Sequence, residues 1–229
     1  MHGLDVSANG FLQRISHSVK RWQQLLIIGS GLWLSLMVVL SVQSFVPIGN
    51  ITRDPATIAL HPPYYGALSN LSILLWSASA AVCWLSAALL RVIQPKAEKE
   101  RFFSVYAALS TALCLDDTYL LHEAILPNRL PIISIPETVV VLAYVVTLTV
   151  SIVYFRKLLL KTQVWAFVVS LLLFGIAVGV DQLVPETLLS EDSLFLIEDG
   201  SKLLAIFFWL AYFVRTSIDL LTAEVSTHV

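Results

Sequence analysis

The sequence predicts an all-α fold: a polytopic integral membrane bundle of six transmembrane helices with both termini cytoplasmic. Three observations predict it. Of 229 residues, 57% are hydrophobic and 13% charged, with a mean hydropathy of +0.81, whereas soluble domains carry about 25% charged residues. Six runs are apolar over the ~20 helical residues that cross ~30 Å of hydrocarbon. Lys and Arg also separate sharply between alternate connections, as the positive-inside rule requires.

Residues 1–22 (MHGLDVSANGFLQRISHSVKRW) form a basic-amphipathic lead with Phe11, Leu12, Ile15 and Val19 at helical spacing, suited to lying on a membrane surface. The transmembrane domain is predicted over 23–221. Its first span, 23–46, follows basic residues as a signal peptide would, but its apolar run is too long and no small-residue cleavage site follows; it is read as a retained helix. The other spans are predicted over 66–93, 102–126, 136–160, 163–184 and 194–218, and residues 222–229 as a short cytoplasmic tail. The fifth span contains the G-x-x-x-G of Gly175 and Gly179, and the second contains Ser77 to Ala81. Small residues at such spacing let backbones approach, within this chain or with a second copy or another membrane protein. Trp22, Trp165 and Trp84 fall near predicted interfaces, where tryptophan anchors.

One side of the bundle holds Arg14, Lys20, Arg21, Arg91, Lys96, Lys99, Arg101, Arg156, Lys157, Lys161 and Arg215. The other holds Arg53 and Arg129, and Lys202 lies inside the last span. That asymmetry predicts a cytoplasmic (plasma) membrane protein whose connections 47–65, 127–135 and 185–193 face outward. Membrane lipids are its expected surroundings. A net charge of -2 without a basic stripe excludes a nucleic-acid partner. Cys83 and Cys114 both lie in apolar runs and are read as packing residues.

The stretch LCLDDTYLLHEAILP, Leu113 to Pro127, sets Asp116, Asp117, His122 and Glu123 in the third span. Carboxylates at that depth cost a few kcal/mol, about 2.5–3.5 on insertion scales, and normally find a partner inside the bundle. The sixth span adds Glu198, Asp199 and Lys202, the fifth Asp181, the second Asn70 and the start of the fourth Glu137. All of these fall in the outer half. At 100° per residue, Asp116 and Glu123 share a face past Tyr119, and Asp117 and His122 flank it on opposite sides. They cannot all address one centre unless the helix distorts. Lys202 is placed to pair with Glu198 or Asp199 of its own helix. Structural readings stand beside each site: a hydrogen-bond network for the aspartates, interfacial solvation for His122 and Glu123, and a helix-start acid for Glu137.

Carboxylates with one histidine suit a divalent cation such as magnesium, calcium or manganese. Asp116, Glu123, Asp181, Glu198 and Asp199 are the predicted ligands. Asp117 and His122 are the predicted proton-transfer groups, with Lys202, Tyr119, Asn70 and Glu137 in support. The ferritin-like pattern of two Glu-x-x-His motifs is absent. Two function classes fit. One is a metal-assisted membrane hydrolase acting on a lipid or small substrate at the outer side. The other is a non-enzymatic cation- or proton-binding transporter, sensor or complex subunit using the same acids. Inner halves polar only through Ser, Thr and Tyr disfavour a conducting path.

Overall fold

The computed structural model describes residues 23–24, 26–93, 97–128, 134–184 and 190–226; the side chains of 181–183, 191 and 225 lie outside that description. The predicted amphipathic lead, residues 1–22, also lies outside it. The chain divides into two units, Met1–Gly66 and Ala67–Val229.

In the first unit, helix α1 (Leu26–Val42) exposes apolar side chains along its length, including Leu26, Leu32, Trp33, Val38 and Val42. It ends where the Gln43 side-chain oxygen accepts from the amides of Phe45 and Val46, at 2.9 and 3.0 Å. Two short helices follow, Ile48–Thr52 and Pro55–Ile58. The second is capped by Asp54, whose carboxylate accepts from the amides of Ala56 and Thr57, and it starts on Pro55, where a missing N–H costs nothing. Gly66, at φ +71°, closes the unit in a conformation that glycine adopts without strain.

The second unit is built on α2 (Ala67–Ile93), α3 (Glu98–Tyr119), α4 (Glu137–Leu159), α5 (Trp165–Leu183) and α6 (Glu191–Ser226), with no strand among the described residues. Acids open α3 (Glu98, Glu100) and α4 (Glu137), and Arg156 and Lys157 close α4; each charge complements the helix dipole at its end. The last helix runs through the segment read as a tail, to Ser226, with Glu224 buried. Three helices among the described residues are long and apolar enough to cross a membrane: Ala67–Ile93, Glu137–Leu159 and Asp192–Glu224. Leu26–Val42 and Trp165–Val180 are apolar but shorter.

Pairing of α2 with α3, α5 with α6 and α2 with α6 encloses an aromatic core. Tyr106 of α3 lies 5.0 Å from Phe213 and 5.6 Å from Trp209 of α6, and 5.8 Å from Phe167 of α5. Edge-to-face and tilted rings at these separations add to burial. The Trp209 indole N–H donates to Ser110 Oγ at 3.0 Å, so the ring is buried without an orphaned donor. At the end of the helices where α2 finishes and α3 begins, charges are matched locally. Arg91 donates to Glu100 at 2.5 and 3.0 Å, and Lys99 pairs with Glu224.

The two small-residue stretches behave differently. Ser79 and Ala80 of α2 are buried, and Ser77 Oγ lies 3.2 Å from Cys114 Sγ of α3. The Gly175 and Gly179 positions of α5 would accept a Cβ with nothing within 4 Å. No described helix of this chain presses on that glycine pair.

Candidate functional site

The site begins with a break at the end of α3. In a continuous α-helix Asp116 and His122 would point about 120° apart. Here Leu120 takes the left-handed conformation (φ 51°, ψ 47°) and a π turn follows over Leu121–Ile125 before α-helix resumes at Leu126–Asn128. Two local features favour the break. The Thr118 hydroxyl donates back to the Cys114 carbonyl at 2.6 Å, a contact that bends helices. Pro127 offers no N–H to the carbonyl four residues before it, and its ring crowds that carbonyl. The Ile125 amide donates five residues back, to the Leu120 carbonyl, at 3.1 Å.

The break turns His122 onto Asp116. The His122 backbone N–H donates to Asp116 Oδ1 at 2.9 Å, and His122 Nδ1 lies 2.7 Å from Asp116 Oδ2. The second contact is short but not aligned as a hydrogen bond, so Nδ1 has no hydrogen-bond partner. With Nδ1 toward Asp116, Nε2 is left for another partner, and Glu123 Oε1 stands 3.5 Å from it. Asp116 and Glu123, expected to share a face of an unbroken helix, both line the cavity described below, and the break brings His122 beside them.

A non-glycine residue in the left-handed region costs about 1–2 kcal/mol. Leu120 is 45% exposed and so contributes limited packing in return. Leu120→Gly should raise the thermal midpoint in detergent, and Leu120→Val, β-branched at the same φ, should lower it. A fall with glycine would mean that the leucine side chain itself holds the turn.

Asp117, beside Asp116, serves a different partner. Lys202 Nζ of α6 lies 2.8 Å from Asp117 Oδ1. Lys202, which its spacing also places to pair with Glu198 or Asp199 of its own helix, thus makes a contact that ties α6 to α3. The Asp117 side chain is only 8% exposed, and its Oδ2 is buried with no hydrogen-bond partner.

These groups line one cavity of about 580 Å³, at the end of the unit where α3 and α5 finish and α4 and α6 begin. Asp116, Asp117, His122 and Glu123 reach it from α3 and the π turn, Glu137 from α4, and Glu198, Asp199 and Lys202 from α6. Tyr119 (59% exposed) and Asn70 do not line it. Asp181 falls in the last turn of α5, and its side chain lies outside the described residues. The cavity also has walls that charge-based reading missed. Trp76, Phe174 and Trp209 form an aromatic floor, and Tyr144 lines the α4 side. A signal for Tyr144 was present: Glu137, Val141, Tyr144 and Leu148 make one helical stripe (i, i+4, i+7, i+11).

The predicted cation-ligand set is not assembled as such. Among the described residues, no three His, Cys, Asp or Glu side chains are grouped to hold a metal ion. Of the predicted ligands, Asp116 is engaged by His122, and the Asp181 side chain lies outside the described residues.

Fold and site together define an all-helical protein with candidate membrane-spanning helices and a partly charged, partly aromatic cavity at one end. The model of a family described as a domain of unknown function (DUF8692) matches residues 25–216, and the chain belongs to that family. No curated protein and no solved structure matches it.

Proposed function

We propose that this protein is a six-span membrane hydrolase with both termini cytoplasmic, whose cavity opens to the outer side and holds the scissile group of a lipid or small substrate. Three long apolar helices and two shorter ones, with eleven Lys and Arg on one predicted side against two on the other, support that topology. The segment 102–126 completes the six: its central stretch, Phe102 to Leu115, carries no charge.

The observation that carries the catalytic reading is the Asp116–His122 contact, made on a cavity wall by a locally strained backbone. Strain of this kind concentrates at functional sites. Asp116 holds the imidazole by Nδ1, and Nε2 accepts a proton from water. The resulting hydroxide attacks a carbonyl carbon of an ester or amide. The leaving oxygen or nitrogen then takes the proton from Nε2, and acid and alcohol or amine depart. The Tyr144 hydroxyl and the Lys202 ammonium are the cavity donors placed to stabilise the developing oxyanion. The test is reconstitution in liposomes with a panel of ester- and amide-bearing lipids, read by mass spectrometry. Turnover of at least one class is expected; none across the panel would overturn the hydrolase reading.

A second reading, divalent-cation binding, is favoured by the surplus of acids: six carboxylates line the cavity against one lysine and one histidine. Elemental analysis of the wild type against Glu198→Gln tests it. A metal-free wild type whose melting is unmoved by calcium, magnesium or manganese would sink it. Cation flux without turnover would move the assignment to transport.

A further inference from the structure

We infer that the cavity takes an organic cation with an apolar body: a substrate or ligand bearing an ammonium group on a hydrocarbon or aromatic frame. This rests on the cavity being the substrate site and names the class of molecule that fits it. Its volume, about 580 Å³, matches pockets for small organic ligands. Its charge is lopsided. Lys202 answers Asp117 and His122 answers Asp116. Glu137 and Asp199, on the same walls, meet no Lys or Arg within ion-pair distance among the described residues. A bound cation would offset that remaining charge.

Two further observations separate an organic from an inorganic cation. The floor is made of rings: Trp76 stacks on Phe174 with centroids 5.7 Å apart and planes 7° from parallel, and Trp209 meets Trp76 edge-on at 5.8 Å. Both indoles are almost fully buried, so the floor is an apolar surface that accommodates a hydrocarbon or aromatic frame and offers nothing to a hard metal ion, which takes oxygen ligands. Conversely, the convergent ligand trio that a metal needs is absent among the described residues. Asp117 Oδ2, on a side chain more than nine-tenths buried, is an acceptor on the cavity wall without a hydrogen-bond partner. An ammonium N–H donates to such an oxygen.

The test uses the full chain in zwitterionic nanodiscs and three probes of one shape: 4-phenylbutylamine (cationic), 4-phenylbutanol (neutral) and 4-phenylbutyrate (anionic). Binding is read by calorimetry and tryptophan fluorescence against empty nanodiscs. The amine should bind at least about tenfold more tightly than the alcohol, and the anion least; an energy of about 1.4 kcal/mol corresponds to that factor. The preference should collapse in the Glu137→Gln/Asp199→Asn double variant, while Trp76→Phe should weaken amine and alcohol together. Equal affinity for amine and alcohol, or an amine preference unchanged in the double variant, would overturn the inference. So would binding of Mn²⁺ alone, lost in Asp199→Asn. Amine selectivity without lipid turnover leaves this inference standing and removes the hydrolase. Turnover of neutral lipids without amine selectivity does the reverse.

Discussion

His122→Gln should lower turnover of the accepted lipid by about 10²- to 10⁴-fold, the usual contribution of a positioned general base, while the protein keeps its thermal midpoint within a few degrees. The substitution removes Nε2 but keeps the backbone N–H that closes onto Asp116 Oδ1, so the π turn has no reason to open. Asp116→Asn is expected to be of the same order in rate. Its side-chain oxygen can still accept from the His122 amide, but the negative charge beside Nδ1 is gone, and with it the group that holds the ring in one tautomer. Because the two residues act as one unit, the double variant should be little worse than either single one. Initial rates in proteoliposomes, with circular dichroism to establish folding, make the measurement. Unchanged turnover in a folded His122→Gln protein would place the base elsewhere on the cavity, at Glu123 or Glu198.

The second large effect is on stability. Asp117→Asn or Lys202→Met alone should destabilise by about 2–3 kcal/mol, below the ~3–5 kcal/mol of a fully buried pair, because Lys202 keeps 30% of its side chain exposed. Each single variant strands one charge inside a helix bundle, where it is costly. The double variant removes both charges and should be no less stable than either single variant, giving a coupling energy of about 2–3 kcal/mol. Unfolding in mixed micelles of lipid, mild detergent and dodecyl sulfate reads all four proteins. Additive losses would mean that the contact between α3 and α6 contributes no coupling.

Much of the fold was legible because apolar runs register directly in sequence. Ala67–Ile93, Glu137–Leu159 and Trp165–Leu183 fall within a few residues of the predicted spans. The last helix overran its prediction because Glu224, read as tail, is buried against Lys99; a charged residue whose partner lies 125 positions away looks like solvent-exposed chain. All eight charged groups at the cavity had been placed at one depth of the predicted bundle, its outer half. Their pairing was not legible. Phase arithmetic needs an unbroken helix, and the break at Leu120 reassigns His122 to Asp116. Thr118 and Pro127 were the available warning. Lys202 was read by the local i,i+4 rule, which carries no information about its contact with Asp117 on a neighbouring helix. Trp76 and Trp209 carried no signal to distinguish a cavity floor from ordinary core, since both are almost fully buried. The glycine pair of α5 was read as a close contact, yet space remains around it.

The contact between Asp116 and His122 is the centre of this account, and solid-state NMR of ¹⁵N-histidine-labelled protein in lipid bilayers tests it most directly. The chain has five histidines, so the His122→Gln spectrum identifies the resonance by subtraction. With the imidazoles neutral at alkaline pH, the account predicts a protonated Nδ1 and a bare Nε2 for His122, with the Nδ1 shift displaced in Asp116→Asn. A His122 protonated on Nε2 alone, or one whose resonances ignore Asp116→Asn, would contradict it.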